Sequence, residues 1–231
     1  MLTAIIVAAG SSQRAGFDKL FATIAGKQTI AHTVRAFERA SSVSEIIVVA
    51  REDRHDEIRK IRRDEDFKKV SSIIAGGERR QDSVRAGLDR LSAVVEYAAV
   101  HDAARPLITS EQIERVFEQC RIHGAAALAE PMSNTLKRAD RDLIVTGSVD
   151  RHQLYAMQTP QIFKCAVIDE AYRIAYAKNL SVTDEVSAVE LTSHRIVLVL
   201  NDEFNFKITY PRDLVLAEFV LNQRARSAAN L

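Results

Sequence analysis

The chain opens on an unbroken apolar run, Leu2-Thr-Ala-Ile-Ile-Val-Ala-Ala-Gly10, that stops at a glycine. A run this short, bounded by glycine, suits a parallel strand buried on both faces. Ligands of open α/β sheets sit outside the carboxyl ends of such strands. The turn from Gly10 to Lys19 therefore falls where a phosphate-bearing ligand would bind. Its small residues let backbone N–H groups approach phosphate oxygens, and Arg14 and Lys19 add two cations. The turn is neither G-x-G-x-x-G nor a P-loop ending in Gly-Lys-Ser/Thr. Taken alone, it is equally well read as a surface loop with two solvated cations.

Strand-like and helix-like patterns alternate beyond it. Ile46–Ala50, Val70–Ala75, Tyr97–His101 and Ala125–Ala129 read as further strands. Between them, Thr29–Ala40 places Ile30, Val34 and Phe37 on one helical face, Asp53–Asp66 turns Ile58 and Ile61 inward, and Gln81–Leu91 aligns Val84, Leu88 and Leu91. Thr109-Ser-Glu-Gln112 reads as a capping box for a helix to Ile122, and Gly124 as its stop. Repeated β–α–β implies a mainly parallel twisted sheet with helices on both faces. At 231 residues and 47% apolar, the chain suits an α/β domain with a sizeable core.

The alternation breaks between Pro131 and Met157. Thr135–Arg138 and Leu143–Thr146 read as a hairpin around Asp140-Arg-Asp142, with too few apolar residues for its own core. Such an arm, at about 131–157, packs on something else, and a partner subunit is one candidate. Helices follow at Lys164–Lys178 and Asp184–Leu191, strands at Arg195–Leu200 and Phe206–Thr209, and a last helix opened by Pro211.

Charge excludes one class of partner. With 32 basic and 31 acidic residues the net charge is +1, against a general nucleic-acid binder. The run Arg59-Lys-Ile-Arg-Arg63 is interleaved among acids and reads as a solvated face. Cys120 and Cys165 lack neighbours at metal-ligand spacing and read as reduced thiols. The opening apolar run has no basic region before it and is too short to span a bilayer, which gives the expectation of a soluble cytoplasmic protein, with no membrane partner.

His101-Asp-Ala-Ala-Arg-Pro106 carries the most chemistry. A carboxylate at a strand's carboxyl end, near a phosphate loop, can hold Mg²⁺ together with phosphate oxygens and water, which makes Asp102 the metal candidate. Arg105 could grip a phosphate as a planar fork, or pair with Asp102. His101 reads as a structural strand residue. In Gly76-Gly-Glu-Arg-Arg-Gln-Asp-Ser83 the glycines permit close backbone approach, and Ser83 could donate to a base or ribose. The same residues also fit a plain turn and helix cap. Thr135, Arg151, Thr159, Thr183-Asp184 and Lys207 each fit a cap, a turn or a surface charge when taken singly. No Ser/His/Asp order or zinc-like cluster stands out.

Together, Ala8-Ala-Gly10, Arg14, Lys19, Gly76-Gly77, Asp82-Ser83, His101–Pro106, Thr135, Val149-Asp-Arg151, Thr159-Pro-Gln161, Thr183-Asp-Glu185 and Lys207 occur in an order that resembles the 2-C-methyl-D-erythritol 4-phosphate cytidylyltransferase family. The resemblance runs from the first strand to the last helix. It implies a single Rossmann-like nucleotidyltransferase domain over 1–231 with a β-hairpin arm. It implies an enzyme of non-mevalonate isoprenoid synthesis that joins CTP to methylerythritol phosphate, releases pyrophosphate and uses Mg²⁺ or another divalent cation. By resemblance, Arg14 and Lys19 attend the α-phosphate and the leaving pyrophosphate. Arg151 and Lys207 hold the attacking phosphate. Ala8, Ala9, Gly10, Gly77, Ser83 and Asp102 bind the nucleotide, and Arg105, Thr135, Thr159 and Thr183 the sugar phosphate. A homodimer is implied, with Thr135 and Arg151 completing the neighbour's site. Asp18 departs from the family pattern and would lower the positive field at Lys19. Ribitol 5-phosphate cytidylyltransferase shares most of these blocks. A non-catalytic nucleotide-binding module on the same fold is the alternative of another class.

Overall fold

The opening apolar run is the hub of the sheet. β1 (Leu2–Ala8) lies between two parallel neighbours, β4 (Val43–Ala50) and β6 (Tyr97–Asp102). The computed structural model describes residues 1–10 and 16–229. Outside β4 lies β5 (Val70–Ala75), also parallel. Beyond β6 come β10 (Tyr155–Lys164), β7 (Ala125–Pro131) and β11 (Val197–Leu200), which gives the order β11-β7-β10-β6-β1-β4-β5. The chain builds outward from β1 through β4 to β5, then returns to place β6 on the other side of β1. The crevice between the β1 and β6 carboxyl ends is thus the topological switch point, where ligands of such sheets bind.

Alternate strand residues feed two cores. On one face Ala4 and Ile6 meet α1 (Thr29–Arg39), α2 (His55–Asp64) and α4 (Ser110–His123) through Phe37, Ile58, Ile61, Ile113 and Val116. On the other, Ile5 and Val100 meet α3 (Arg80–Asp89), α5 (Cys165–Ala177) and α6 (Glu185–Val189) through Val84, Leu88, Ile168, Tyr172 and Val189. α7 (Pro211–Ala229) covers a smaller cluster of Ile24, Leu107, Ile208, Ala217 and Val220, beside a short hairpin of β2 (Thr23–Ile24) and β3 (Lys27–Gln28). Burying both faces explains why the strands lack polar alternation. The cap signals are realised at α4. Thr109 accepts from the Gln112 amide, the Gln112 side chain reaches back, and Gly124 closes the helix at φ 87°.

Three details differ from the sequence reading. β10 was not foreseen, and it runs antiparallel to both neighbours. Its centre, Gln158-Thr-Pro-Gln161, is polar, and proline cannot donate to a ladder; pairing with β7 shifts register between Met157 and Gln161. Phe206–Thr209 is not a strand. Ile208 makes one backbone bond, to the Ala104 carbonyl at 2.8 Å, and its side chain is buried under α7. The arm hairpin pairs β8 (Leu136–Ala139) with β9 (Val145–Val149), the first starting one residue and the second two residues later than the pattern suggests. The Asp140 carboxylate accepts from the Asp142 and Ile144 amides at 3.0 and 2.9 Å, which draws Leu143 and Ile144 into the turn. Among the described residues no helix is long and apolar enough to cross a membrane. Cys120 is buried, Cys165 is half-buried, and both are free thiols.

Close packing of α3 on β1 carries the site-bearing loops. A Cβ at Gly87 would lie 2.5 Å from Ile5 Cγ2. Gly87→Val should therefore overpack this contact and lower stability by about 2 kcal/mol, read as a shifted urea midpoint with unchanged slope.

Candidate active site

Parallel pairing of β1 with β6 sets Val7 opposite Asp102, and the Ala103 amide donates to the Val7 carbonyl at 3.0 Å. Asp102 thus ends its strand at the rim of the crevice. Its Oδ1 accepts from Arg80 Nε at 3.1 Å and its Oδ2 from Lys207 Nζ at 2.8 Å, with Arg105 Nε at 3.9 Å. Burial pushes the carboxyl upward, but the charges of Arg80, Lys207 and Arg105 outweigh it and hold Asp102 well below the usual carboxylate range. Asp102 is thus surrounded by three cations.

The strand end is fixed by a chain of polar bonds. The Asp102 amide donates to Thr159 Oγ1 at 3.1 Å, and Thr159 Oγ1 lies 3.0 Å from His101 Nδ1. His101 Nε2 faces the Arg105 carbonyl at 3.3 Å. A carbonyl only accepts, so the neutral imidazole carries its proton on Nε2 and takes the Thr159 hydroxyl proton at Nδ1. Burial lowers the His101 pKa to about 3, which keeps the ring neutral. His101 is thus the structural residue its strand position implied.

Two loops meet beside Asp102. The Gly76 amide donates to the Ala50 carbonyl at 3.0 Å, and a Cβ on Gly76 would lie 2.4 Å from Ala9 Cβ and 2.8 Å from Ser83 Oγ. Only glycine permits that approach, which sets half-exposed Ala9 against Gly76. Ser83 is buried, and its hydroxyl accepts from the Gly77 amide at 3.1 Å, so it braces the loop from beneath. Asp82 caps α3 by accepting from the Arg79 amide at 3.1 Å, and the Tyr176 hydroxyl binds it at 2.8 Å. The alternative of a glycine turn and helix cap therefore describes this motif's internal contacts.

Lys19 reaches the same rim from the β1 side. Its Nζ donates to the Ile208 carbonyl at 2.8 Å, next to Lys207, and the Ile208 amide binds Ala104, two residues after Asp102. Lys19, Asp102 and Lys207 are thereby drawn together from three distant parts of the chain. Arg14 lies outside the described residues. Asp18 does not weaken the field at Lys19 as its adjacency suggested. Its carboxylate is held by Arg54 at 2.8 Å and Arg51 at 3.3 Å.

Other expected ligands are placed differently. Arg105, for which a phosphate grip and a pair with Asp102 both stand as expectations, donates Nη1 to the Asn205 carbonyl at 2.7 Å and Nη2 to the Met157 carbonyl at 3.4 Å, with the side chain 13% exposed. The guanidinium ties β10 and the 201–208 segment to Asp102 instead of facing an anion. Thr159 was read as substrate-binding; it is buried and spent on Asp102 and His101. Thr183 is exposed, with its hydroxyl 2.9 Å from Ser187 Oγ. Thr135 and Arg151 are exposed on the arm, where Arg151 binds the Ser133 carbonyl. The Arg151 guanidinium bonds within the arm, to the Ser133 carbonyl, and does not reach Asp102 of its own chain.

The family model for 2-C-methyl-D-erythritol 4-phosphate cytidylyltransferase matches residues 2–223. The chain belongs to this family. A cytidylyltransferase of that name from Alkaliphilus metalliredigens is 35% identical over 226 residues, covering 96% of this chain and 94% of the relative. One from Pelotomaculum thermopropionicum is 36% identical, covering 96% and 95%. The crystal structure of a 4-diphosphocytidyl-2C-methyl-D-erythritol synthase from Anaerococcus prevotii superposes with a TM-score of 0.84 at 28% identity, covering 96% of each chain. The Rossmann-like nucleotidyltransferase fold expected from the motifs is thus the fold observed, and ribitol 5-phosphate cytidylyltransferase is not favoured.

Sequence reasoning assigned no role to two charged residues at this cytidylyltransferase site. Arg80, besides holding Asp102, binds Glu185 Oε1 at 2.8 Å and Oε2 at 3.0 Å. Each is the first residue of its helix. Their one local signal is a charge beside a motif; the partnership spans 105 positions and is invisible to periodicity.

The placement of Thr159 leads to a discriminating variant. Thr159→Val should cost about 1–3 kcal/mol by leaving the Asp102 amide and His101 Nδ1 unpaired, and Thr159→Ser should recover most of it. Urea unfolding checks this. Undiminished stability with a raised KM for the sugar phosphate would return Thr159 to the substrate side.

Proposed function

We infer that this chain transfers a cytidylyl group from CTP to the phosphate of 2-C-methyl-D-erythritol 4-phosphate and releases pyrophosphate. The observation that carries the reading is the meeting of Lys19, Asp102 and Lys207 at the β1/β6 switch point in a chain of this family. A phosphate monoester has a second pKa near 6 and is already largely dianionic at neutral pH, so the nucleophile needs no general base. That agrees with His101 being buried and neutral. The barrier is repulsion between two anions, and catalysis consists of positioning and charge neutralisation.

In this reading Arg14 and Lys19 stabilise charge building on the α-phosphate and the departing pyrophosphate. Lys207, half-exposed, keeps one N–H on the Asp102 carboxylate and turns the others to an oxygen of the attacking phosphate. The backbone of Ala8, Ala9, Gly10 and Gly77, braced by Ser83, receives the cytidine. Thr183 borders the sugar alcohol.

The expected divalent cation, Mg²⁺ or a related ion, is compatible with the donor set. Among the described residues no group of three or more His, Cys, Asp or Glu is gathered to hold a metal. One carboxylate with phosphate oxygens and water suffices for Mg²⁺. Asp102 has one short protein donor on each oxygen and so keeps lone pairs for an ion brought in with the nucleotide. When bound, the ion would neutralise phosphate charge.

The arm supports a homodimer with shared sites. Its tip exposes Leu143, Ile144 and Val145 at 85, 64 and 61%. Thr135 and Arg151 sit on the same arm, with Arg151 contributed to the attacking phosphate of the neighbouring site.

Two experiments test this. Pyrophosphate release should require CTP, methylerythritol phosphate and a divalent cation; ribitol 5-phosphate should be a poor substitute and excess chelator should stop turnover. In the same assay Lys19→Ala and Arg14→Ala should each lose about 10²–10³ in turnover while remaining folded. Mixing inactive Arg14→Ala with inactive Arg151→Ala should restore about a quarter of the sites once subunits exchange. Absence of recovery despite demonstrated exchange would rule out sharing.

A further inference from the structure

Glu185 and Arg80 form a buried bridge beneath the rim that the reaction described above does not use. Glu185 is fully buried, and Arg80 is 26% exposed. The guanidinium presents both terminal nitrogens to Glu185, at 2.8 and 3.0 Å, and Nε to Asp102 at 3.1 Å. The Tyr172 hydroxyl donates to Glu185 Oε1 at 3.0 Å from α5. A carboxylate with no exposure cannot meet a ligand, so Glu185 acts only through the groups it holds.

The elements that carry the bridge are fixed independently of it. Gln81, next to Arg80, accepts from the Val182 amide at 2.9 Å and donates to the Leu180 carbonyl at 3.3 Å. Gln161 of β10 accepts from the Val186 amide at 3.0 Å and donates to Asp184 at 2.9 Å. The starts of α3 and α6 are therefore set in place on both sides of the bridge.

This geometry has a chemical consequence. A guanidinium beside a lone carboxylate takes both oxygens in a two-pronged pair. Were Arg80 free to do so, it would compete with Lys207 for Asp102 Oδ2. Glu185 occupies the two prongs and leaves only Nε for Asp102, so Oδ2 stays with Lys207 at 2.8 Å. We propose that Arg80, locked by Glu185, is a positioning residue for cytidylyl transfer: it fixes the Asp102 carboxylate in the one orientation that presents Lys207 to the attacking phosphate. The proposal rests on the cytidylyl-transfer reading and extends it to two residues that touch neither substrate.

Kinetics with CTP and methylerythritol phosphate test it, and the parent enzyme is measured first. A parent without cytidylyl transfer would refute the functional reading itself. With an active parent, Arg80→Lys keeps the charge, but its single ammonium cannot span both carboxylates. Glu185→Gln keeps the volume and the Tyr172 bond while removing the charge that holds the prongs. Both should lower kcat, Arg80→Lys by about 10²-fold, with the KM for CTP changed by less than about threefold. In a Lys207→Ala background, Arg80→Lys should cost less than about threefold more, because its effect passes through Lys207.

A merely structural residue would lower the melting temperature and show its full loss in either background, and that result overturns the proposal. So does kcat within about twofold of the parent in both folded single variants. If a single variant fails to fold, Arg80→Gln with Glu185→Gln removes both buried charges together. Parent-level kcat in that double variant, or its full loss persisting on top of Lys207→Ala, equally overturns it.

Discussion

An ionised carboxylate held at the end of a buried parallel strand organises this molecule. Asp102 sits where desolvation disfavours charge, and it stays charged because Arg80 and Lys207 pair with its two oxygens. Those partners come from the start of α3 and from the segment before α7. One side chain thereby ties together the sheet, the glycine loop that leads into α3 and the C-terminal region. Removing one member of such a buried set leaves uncompensated charge, which is more damaging than never having built the set.

The sheet makes that placement possible. β1 and β6 pair in parallel, so their carboxyl ends open on the same side and the following loops converge. The antiparallel insertion of β10 beside β6 then delivers Thr159 to the backbone of Asp102 and Gln161 to the start of α6. β10 works as a bracket: its polar centre supplies bonds to loops on both sides where an apolar strand would supply none. Arg105 completes the bracket by spending its fork on the Asn205 and Met157 carbonyls.

Chemistry that brings two anions together needs cations held in defined positions before the ligand arrives. Distributing charge through Glu185, Arg80, Asp102 and Lys207 in a chain gives each cation a defined partner and leaves the outermost one, Lys207, the most exposed at 35%. Asp102 is 11% exposed, Arg80 26%, and Glu185, at the inner end, not at all. The paired Arg80–Glu185 bridge thus lies below the rim and the more exposed Lys207 ammonium at its surface, the arrangement expected for preorganised electrostatic catalysis.

What the sequence determined by itself is what short-range physics encodes. The unbroken apolar runs determined buried strands, the spacing of Phe37, Ile58 and Val84 within their segments determined helix faces, and Thr109, Gln112 and Gly124 determined where α4 begins and ends. The motif order reached the family and most rim residues, Lys19, Asp102 and Lys207 among them. Only the tertiary structure decided how the polar residues are used. Thr159 and Arg105 resemble ligands in one dimension and make internal bonds in the fold, because a hydroxyl or guanidinium bonds whichever partner the fold brings within about 3 Å. Phe206–Thr209 alternates like a strand, yet finds one backbone partner instead of a ladder. Arg80 and Glu185 carry no local sign of their pairing, since the partner of a buried charge is chosen by the packing of helices distant in sequence and not by any neighbour along the chain.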